Sequence, residues 1–325
     1  MRCKKEIMGL AALMVVLFHF YIPFGTSAFE TYIYRSTFIG VDLFFFVSSY
    51  SIASRNRNQK FQAKEFILNR LEYIYAPFVI LSFIATVYHN WSVSRFVNII
   101  LGVEFYERGG GAFLWYFIGI MVFYLLVPLI LLLKRETKLW GFPILIALWI
   151  VLSLILQFGF NYTKAFILIN RLPIFFIGFY YDELILANLN KLKKKHICII
   201  EIVMFVVGAI LVYKYATTGR VIKPFMDMYY VIAIPLILAT VMIVNSLVTL
   251  LKDKYESSFL KFIGGITLEL YGLQMIFGYD IEMKLLKIVP LKQLAFLGTV
   301  VVLIFMAFVF NRLFGIAHKL IEKER

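Results

Sequence analysis

Charge is scarce in this 325-residue chain. Asp, Glu, Lys and Arg together make up 16% of it, against about 25% in an ordinary soluble domain. The few charges gather between long apolar runs. Cysteine is nearly absent as well, with Cys3 and Cys198 alone. Two cysteines exclude a disulfide framework and a CxxC metal pair, and no metal is expected. No lipobox precedes Cys3. Gly109-Gly110-Gly111 lacks the spacing of a phosphate-cradling loop and reads as a flexible turn. No repeat of fixed period is visible. What the chain does have is apolar side chains: 62% hydrophobic, 18% aromatic, and a mean hydropathy of +0.86. That excludes a soluble fold, a disordered chain, a coiled coil and collagen. A net charge of +14 would suggest nucleic acid in a soluble protein. Here it reads as basic loops on the cytoplasmic face of a bilayer, and no nucleic-acid partner is expected.

A transmembrane helix needs about 20 apolar residues. That window gives ten candidate spans, near 7–24, 37–53, 75–90, 113–133, 140–158, 165–181, 197–215, 228–250, 262–280 and 293–314. The ninth is the weakest, because it carries Glu269, Gln274 and several glycines. The first reads as a retained signal anchor, since no A-x-A-like cleavage site follows it. With ten spans and the N-terminus inside, about two thirds of the 33 Lys and Arg fall on the inner side. The expectation is an all-α polytopic bundle with both termini cytoplasmic. Residues 1–325 are expected to form one transmembrane domain with no appended soluble domain.

Ionisable residues in hydrocarbon are costly and usually face a bundle interior, so function is sought among them. His19, Asp42 and Gln274 come from three spans and are each expected about twelve residues from the cytoplasmic side, roughly 18 Å deep. Glu269 and Ser48-Ser49 lie one to two turns nearer the cytoplasm. Each has a plain alternative reading as a helix-helix contact or packing partner, and Trp91, Trp115 and Tyr116 can be interfacial belt aromatics. A neutral imidazole can take a proton from a hydroxyl at physiological pH. One buried His with an Asp at matching depth fits general-base activation of an alcohol, the carboxylate holding the imidazole tautomer.

Several segments in order match one known pattern. Met8-Gly9-Leu10-Ala11 with His19 following, Gly40-Val41-Asp42-Leu43-Phe44-Phe45-Phe46-Val47-Ser48, and Asn69-Arg70-Leu71-Glu72-Tyr73 before Pro77 cover the first three spans. Leu114-Trp115-Tyr116-Phe117 with Tyr124 and Pro128, Arg171-Leu172-Pro173, and Ser/Thr-like Thr267-Leu268-Glu269-Leu270-Tyr271 with Gln274 cover later ones. Together they resemble the integral-membrane acyltransferase-3 family, whose members have ten spans with both ends inside. The chain departs from the family at three positions: Met8 replaces an Arg, Tyr73 a second basic residue, and Gln274 a His. Lys5, three residues before Met8, shares its helix face.

The resemblance implies an acyltransferase, usually an O-acetyltransferase of surface polysaccharides. Acetyl-CoA would be the cytoplasmic donor, and a hydroxyl of a cell-surface glycan or lipid-linked oligosaccharide the acceptor, in a bacterial plasma (inner) membrane. His19 would be catalytic, as base or acyl carrier, with Asp42 beside it. Arg70, Lys5 and Arg57 would bind CoA, and Trp115, Tyr116, Glu269 and Gln274 would line the acceptor. The rivals without acyl transfer are a flippase of lipid-linked sugars and a polysaccharide polymerase.

Overall fold

A computed structural model describes residues 3–19, 32, 36–57, 61–218, 228–250 and 258–324. The described residues form helices joined by turns and short irregular segments, with no strand among them. Among the expected inner-side cations, Arg2, Lys60, Lys252, Lys254 and Arg325 lie outside the described residues, as do the side chains of Lys319 and Lys323.

The helices are α1 (Lys4–Phe18), α2 (Ile39–Arg55), α3 (Ala63–Tyr88), the short pair α4 (Val93–Ile100) and α5 (Val103–Arg108), α6 (Trp115–Thr137) and α7 (Gly141–Leu154). There follow α8 (Phe166–Ile169), α9 (Leu172–Tyr181), α10 (Lys194–Thr218), α11 (Tyr229–Ile232), α12 (Ile234–Leu250), α13 (Ser258–Ile263), α14 (Thr267–Ile288) and α15 (Lys292–Glu324).

Among the described residues, 6 helical stretches are long and apolar enough to cross a membrane: Ala63–Tyr88, Trp115–Gly159, Phe166–Leu189, Lys194–Tyr215, Tyr229–Leu250 and Lys292–Ile316. The chain is a multi-pass membrane protein on that ground. Trp115–Gly159 is 45 residues, about 68 Å if straight and more than twice the hydrocarbon thickness. It is not straight. Lys138 has φ +52°, and there the chain turns so that α7 packs back on α6. The helices that fall short are instructive. With 15 and 17 residues, α1 and α2 are brief, and α14 carries Glu269, Asp280, Glu282, Lys284 and Lys287. These are the helices that hold His19, Asp42 and Gln274.

Lipid offers no hydrophobic reason for one apolar helix to prefer another, so close packing falls to small residues. Gly178 on α9 lies against the Ser49 side chain and the Phe46 carbonyl of α2. Gly40 on α2 lies against α1, where a Cβ would come within 2.6 Å of the Ala11 carbonyl oxygen and 3.0 Å of Val15 Cγ2. Around these seams aromatic side chains fill the bundle. Phe45, Phe123 and Phe175 join α2, α6 and α9 through ring contacts of 4.7 and 4.8 Å.

Candidate functional site

The first helix ends earlier than the expected span. Phe18 is its last residue and His19 caps it, with φ −90° and ψ 15°; residues 20–24 of that span lie outside the described residues. A helix end leaves carbonyls without partners. The His19 ring turns back onto this last turn: Nδ1 lies 2.9 Å from the Val15 carbonyl oxygen, which also accepts the His19 backbone N–H at 3.2 Å. A carbonyl only accepts, so Nδ1 carries the proton and the neutral ring presents Nε2 as an acceptor. The His19 ring makes no other hydrogen bond among the described residues. Its ring stands edge-on to Tyr271 of α14, centroids 6.4 Å apart. Tyr271 in turn meets Tyr116 of α6 at 5.8 Å, so Tyr116 is an interior residue rather than part of an interfacial belt.

Gln274 comes to the same place. Its Nε2 donates to the Val16 carbonyl at 3.3 Å, one residue from the carbonyl that His19 uses. Its Oε1 is buried without a hydrogen-bond partner. The expected meeting of His19 and Gln274 in one layer therefore holds.

Asp42 does not belong to that layer. Helices α1 and α2 run antiparallel, and Gly40 sits level with Ala11–Val15. Asp42, two residues further along α2, lies roughly 10 Å from His19 along the bundle axis. Its carboxylate instead faces Arg171 at the start of α9, with Nε 3.1 Å from Oδ1 and side chains 2% and 0% exposed. An isolated carboxylate in a bundle interior needs a countercharge, and a guanidinium supplies one where a neutral imidazole cannot. The expected Asp42–His19 hydrogen bond is thus replaced by an Asp42–Arg171 ion pair, and the tautomer is held by Val15. The contact is off-axis, and both Asp42 oxygens lack an aligned donor. The Arg171 guanidinium lies 3.6 Å from the Tyr230 ring centroid and 5.2 Å from that of Trp115, and its Nη1 donates to the Ile167 carbonyl. Trp115 is accordingly part of the cradle of this pair.

At the opposite end of the bundle Arg70 is held between the rings of Phe66 and Tyr124, each 4.9 Å from the guanidinium carbon. A single π-helical turn, Leu71–Tyr75, follows it directly. Tyr124 shares a hydrogen bond of 2.5 Å with Ser48 of α2. Arg70 has no acidic partner among the described residues, and its Nε is buried unpaired. Ser48 is six residues beyond Asp42, so the Arg70 layer lies roughly 20 Å from His19 along the axis. Arg57 differs: it pairs with Asp182 on the π-helical turn Asp182–Leu186. Lys5 is exposed. Glu269 accepts from Asn311 Nδ2 at 2.6 Å, a contact that ties α14 to α15.

Sequence reasoning quoted Arg171 but gave it no role. The rule that an intramembrane charge pairs with an opposite one was the available signal, since Arg171 interrupts an apolar run. Tyr271 and Tyr230 had no such signal, because an interior tyrosine and a belt tyrosine read alike.

Residues 9–311 match the acyltransferase domain of the acyltransferase-3 family, and the chain belongs to that family. No curated protein and no solved structure matches it. It is therefore a membrane acyltransferase by family.

Proposed function

We propose that the chain is an O-acetyltransferase of the bacterial plasma membrane, moving acetyl from cytoplasmic acetyl-CoA to a hydroxyl of a cell-surface or lipid-linked polysaccharide. In this reading the bundle crosses ten times, by α1, α2, α3, α6, α7, α8–α9, α10, α11–α12, α14 and α15, and both termini are cytoplasmic. The Arg70 end then faces the cytoplasm and the His19 end faces outward.

The observation that carries the reading is the His19 Nε2, without a hydrogen-bond partner among the described residues and set as an acceptor by the Nδ1–H donation to Val15, in a chain of this family. Acyl transfer needs a group that can hold a proton, or the acyl group itself, at one fixed atom. As a base, Nε2 takes the proton of the sugar hydroxyl while that oxygen attacks the thioester carbonyl. The C–S bond then breaks, and the proton passes from Nε2 to the departing CoA thiolate. As a carrier, Nε2 itself attacks the thioester, the C–S bond breaks and CoA leaves as thiolate; the hydroxyl then attacks the Nε2-acyl imidazolium, the N–acyl bond breaks, and the hydroxyl proton goes to the thiolate or to the freed Nε2. Both routes need Nε2 unprotonated and accessible. Arg70, a cation without a carboxylate partner among the described residues, suits the CoA phosphates, and the long uncharged pantetheine arm suits the axial distance to His19. Lys5 adds charge at the same mouth, and Arg57 does so once Asp182 releases it. Trp115, Tyr116 and Gln274 line the approach to His19, and Glu269 holds α14 in register.

Mass spectrometry of surface glycan with and without the gene tests this. Loss of acetyl groups from a polymer of unchanged length supports it. Missing polymer favours a flippase or polymerase and sinks it.

A further inference from the structure

Tyr271 of α14 packs directly on His19. Its ring meets that of His19 at 6.4 Å, and those of Tyr116 and Phe117 at 5.8 Å each. The residue is 6% exposed, and its hydroxyl is buried without a hydrogen-bond partner among the described residues. A buried hydroxyl left unpaired is costly, and phenylalanine would fill the same space without that cost. The phenol therefore has its use when an acceptor atom arrives with a ligand.

The start of α6 lies against the same hydroxyl. No side chain caps that helix. Leu114, just before it, is fully buried and has φ +52°, a left-handed conformation that leucine rarely adopts. The Phe117 N–H closes the first turn on the Leu114 carbonyl at 3.0 Å. The amides of Trp115 and Tyr116 stand ahead of it, where a helix offers no acceptor of its own. The Tyr116 N–H faces the Tyr271 hydroxyl without closing a hydrogen bond to it. An N–H and an O–H thus lie together beside the His19 ring, at the positive end of a helix of 23 residues. Such an end favours negative charge.

We propose that the Tyr271 hydroxyl and the leading amides of α6, that of Tyr116 first, form an oxyanion hole whose ligand is the thioester carbonyl oxygen. The inference rests on the acetyltransferase reading and adds to it the groups that stabilise the transition state. The nucleophile, acceptor hydroxyl or His19 Nε2, bonds to the carbonyl carbon, and the C=O π pair moves onto the oxygen. That oxygen, now negative, accepts from the Tyr271 O–H and the Tyr116 N–H. When the C=O bond re-forms, the C–S bond breaks and CoA leaves as thiolate. With the hydroxyl as nucleophile, its proton has gone to Nε2, which passes it to the thiolate. With Nε2 as nucleophile, the hydroxyl arrives later and its proton goes to the thiolate or to the freed Nε2. Tyr271 keeps its own proton throughout. Donors fixed in this way are worth more to the developing anion than to the neutral carbonyl.

The test uses membranes from source cells that lack their own copy of the gene and carry the native glycan acceptor. Full-length parent or Tyr271→Phe protein is supplied at equal levels, and initial rates of transfer from labelled acetyl-CoA give kcat and KM for that donor. Tyr271→Phe should lower kcat about 100-fold with KM for acetyl-CoA unchanged. Its unfolding midpoint in mixed detergent micelles should equal or exceed that of the parent, because the hydroxyl it removes is unpaired in the free protein. A lowered midpoint accompanying the loss of rate would make the phenol a structural tie between α14 and α6 and overturn the proposal. So would a loss carried by KM rather than kcat. If the parent itself moves no acetyl, the acetyltransferase reading fails and this inference falls with it. Transfer by the parent that Tyr271→Phe equals removes the oxyanion hole alone.

Discussion

The Asp42–Arg171 pair allows the most direct energetic test of the bundle. Both side chains are almost completely excluded from solvent, so screening does not blunt their interaction. Replacing Arg171 with Leu leaves the Asp42 carboxylate buried and unpaired, at a cost of about 3–5 kcal/mol. It also removes the donor to the Ile167 carbonyl and the cation between Tyr230 and Trp115. Asp42→Leu strands the guanidinium and should cost a similar amount. The double variant removes both charges, and a buried pair replaced by apolar groups is often close to neutral. The two losses should therefore not add: a coupling energy of about 2 kcal/mol or more is expected. Reversible unfolding of the four proteins in mixed detergent micelles measures it. Additive losses, within about 0.5 kcal/mol, would refute the claim that the two groups neutralise each other.

Three further expectations follow from the geometry. Arg70→Ala should raise KM for acetyl-CoA about ten-fold or more, as loss of a charge-assisted hydrogen bond does; Arg57→Ala, already paired with Asp182, should change it far less, and equal effects would contradict the assignment. Gly178→Ala places a methyl group into the Ser49 side chain and Phe46 carbonyl, so stability in the same micelle assay should fall by about 1–3 kcal/mol; an unchanged midpoint would mean the helices can part at no cost. Gln274→Leu leaves the Val16 carbonyl without its donor and should cost about 1–3 kcal/mol, which a stability equal to that of the parent would exclude.

Much of this architecture can be read from the sequence, and the places where it cannot share a cause. Apolar run length locates helices well: each of the ten expected spans contains one. It does not fix where a helix ends. The expected span at 7–24 has its helix at Lys4–Phe18, and that shift moves His19 from the interior of a helix to its cap. Depth counted from sequence therefore put His19 and Asp42 in one layer, while the Gly40 contact with Ala11 and Val15 offsets them. Pairings between helices were beyond reach for the same reason. Arg171 and Asp42 are 129 positions apart, and only the parallel packing of α9 on α2, set by Gly178, brings them level. Charge alone also misleads at the Arg70 end. Arg57 and Arg70 look equivalent in sequence, yet among the described residues Arg57 has an acidic partner, supplied by a distant helical turn, and Arg70 has none.

The central claim rests on one nitrogen. Full-length protein in vesicles, given labelled acetyl-CoA and a glycan acceptor, should move label to the acceptor; His19→Ala, present in the membrane at the same level, should move none. Full transfer by the His19→Ala protein would contradict the account.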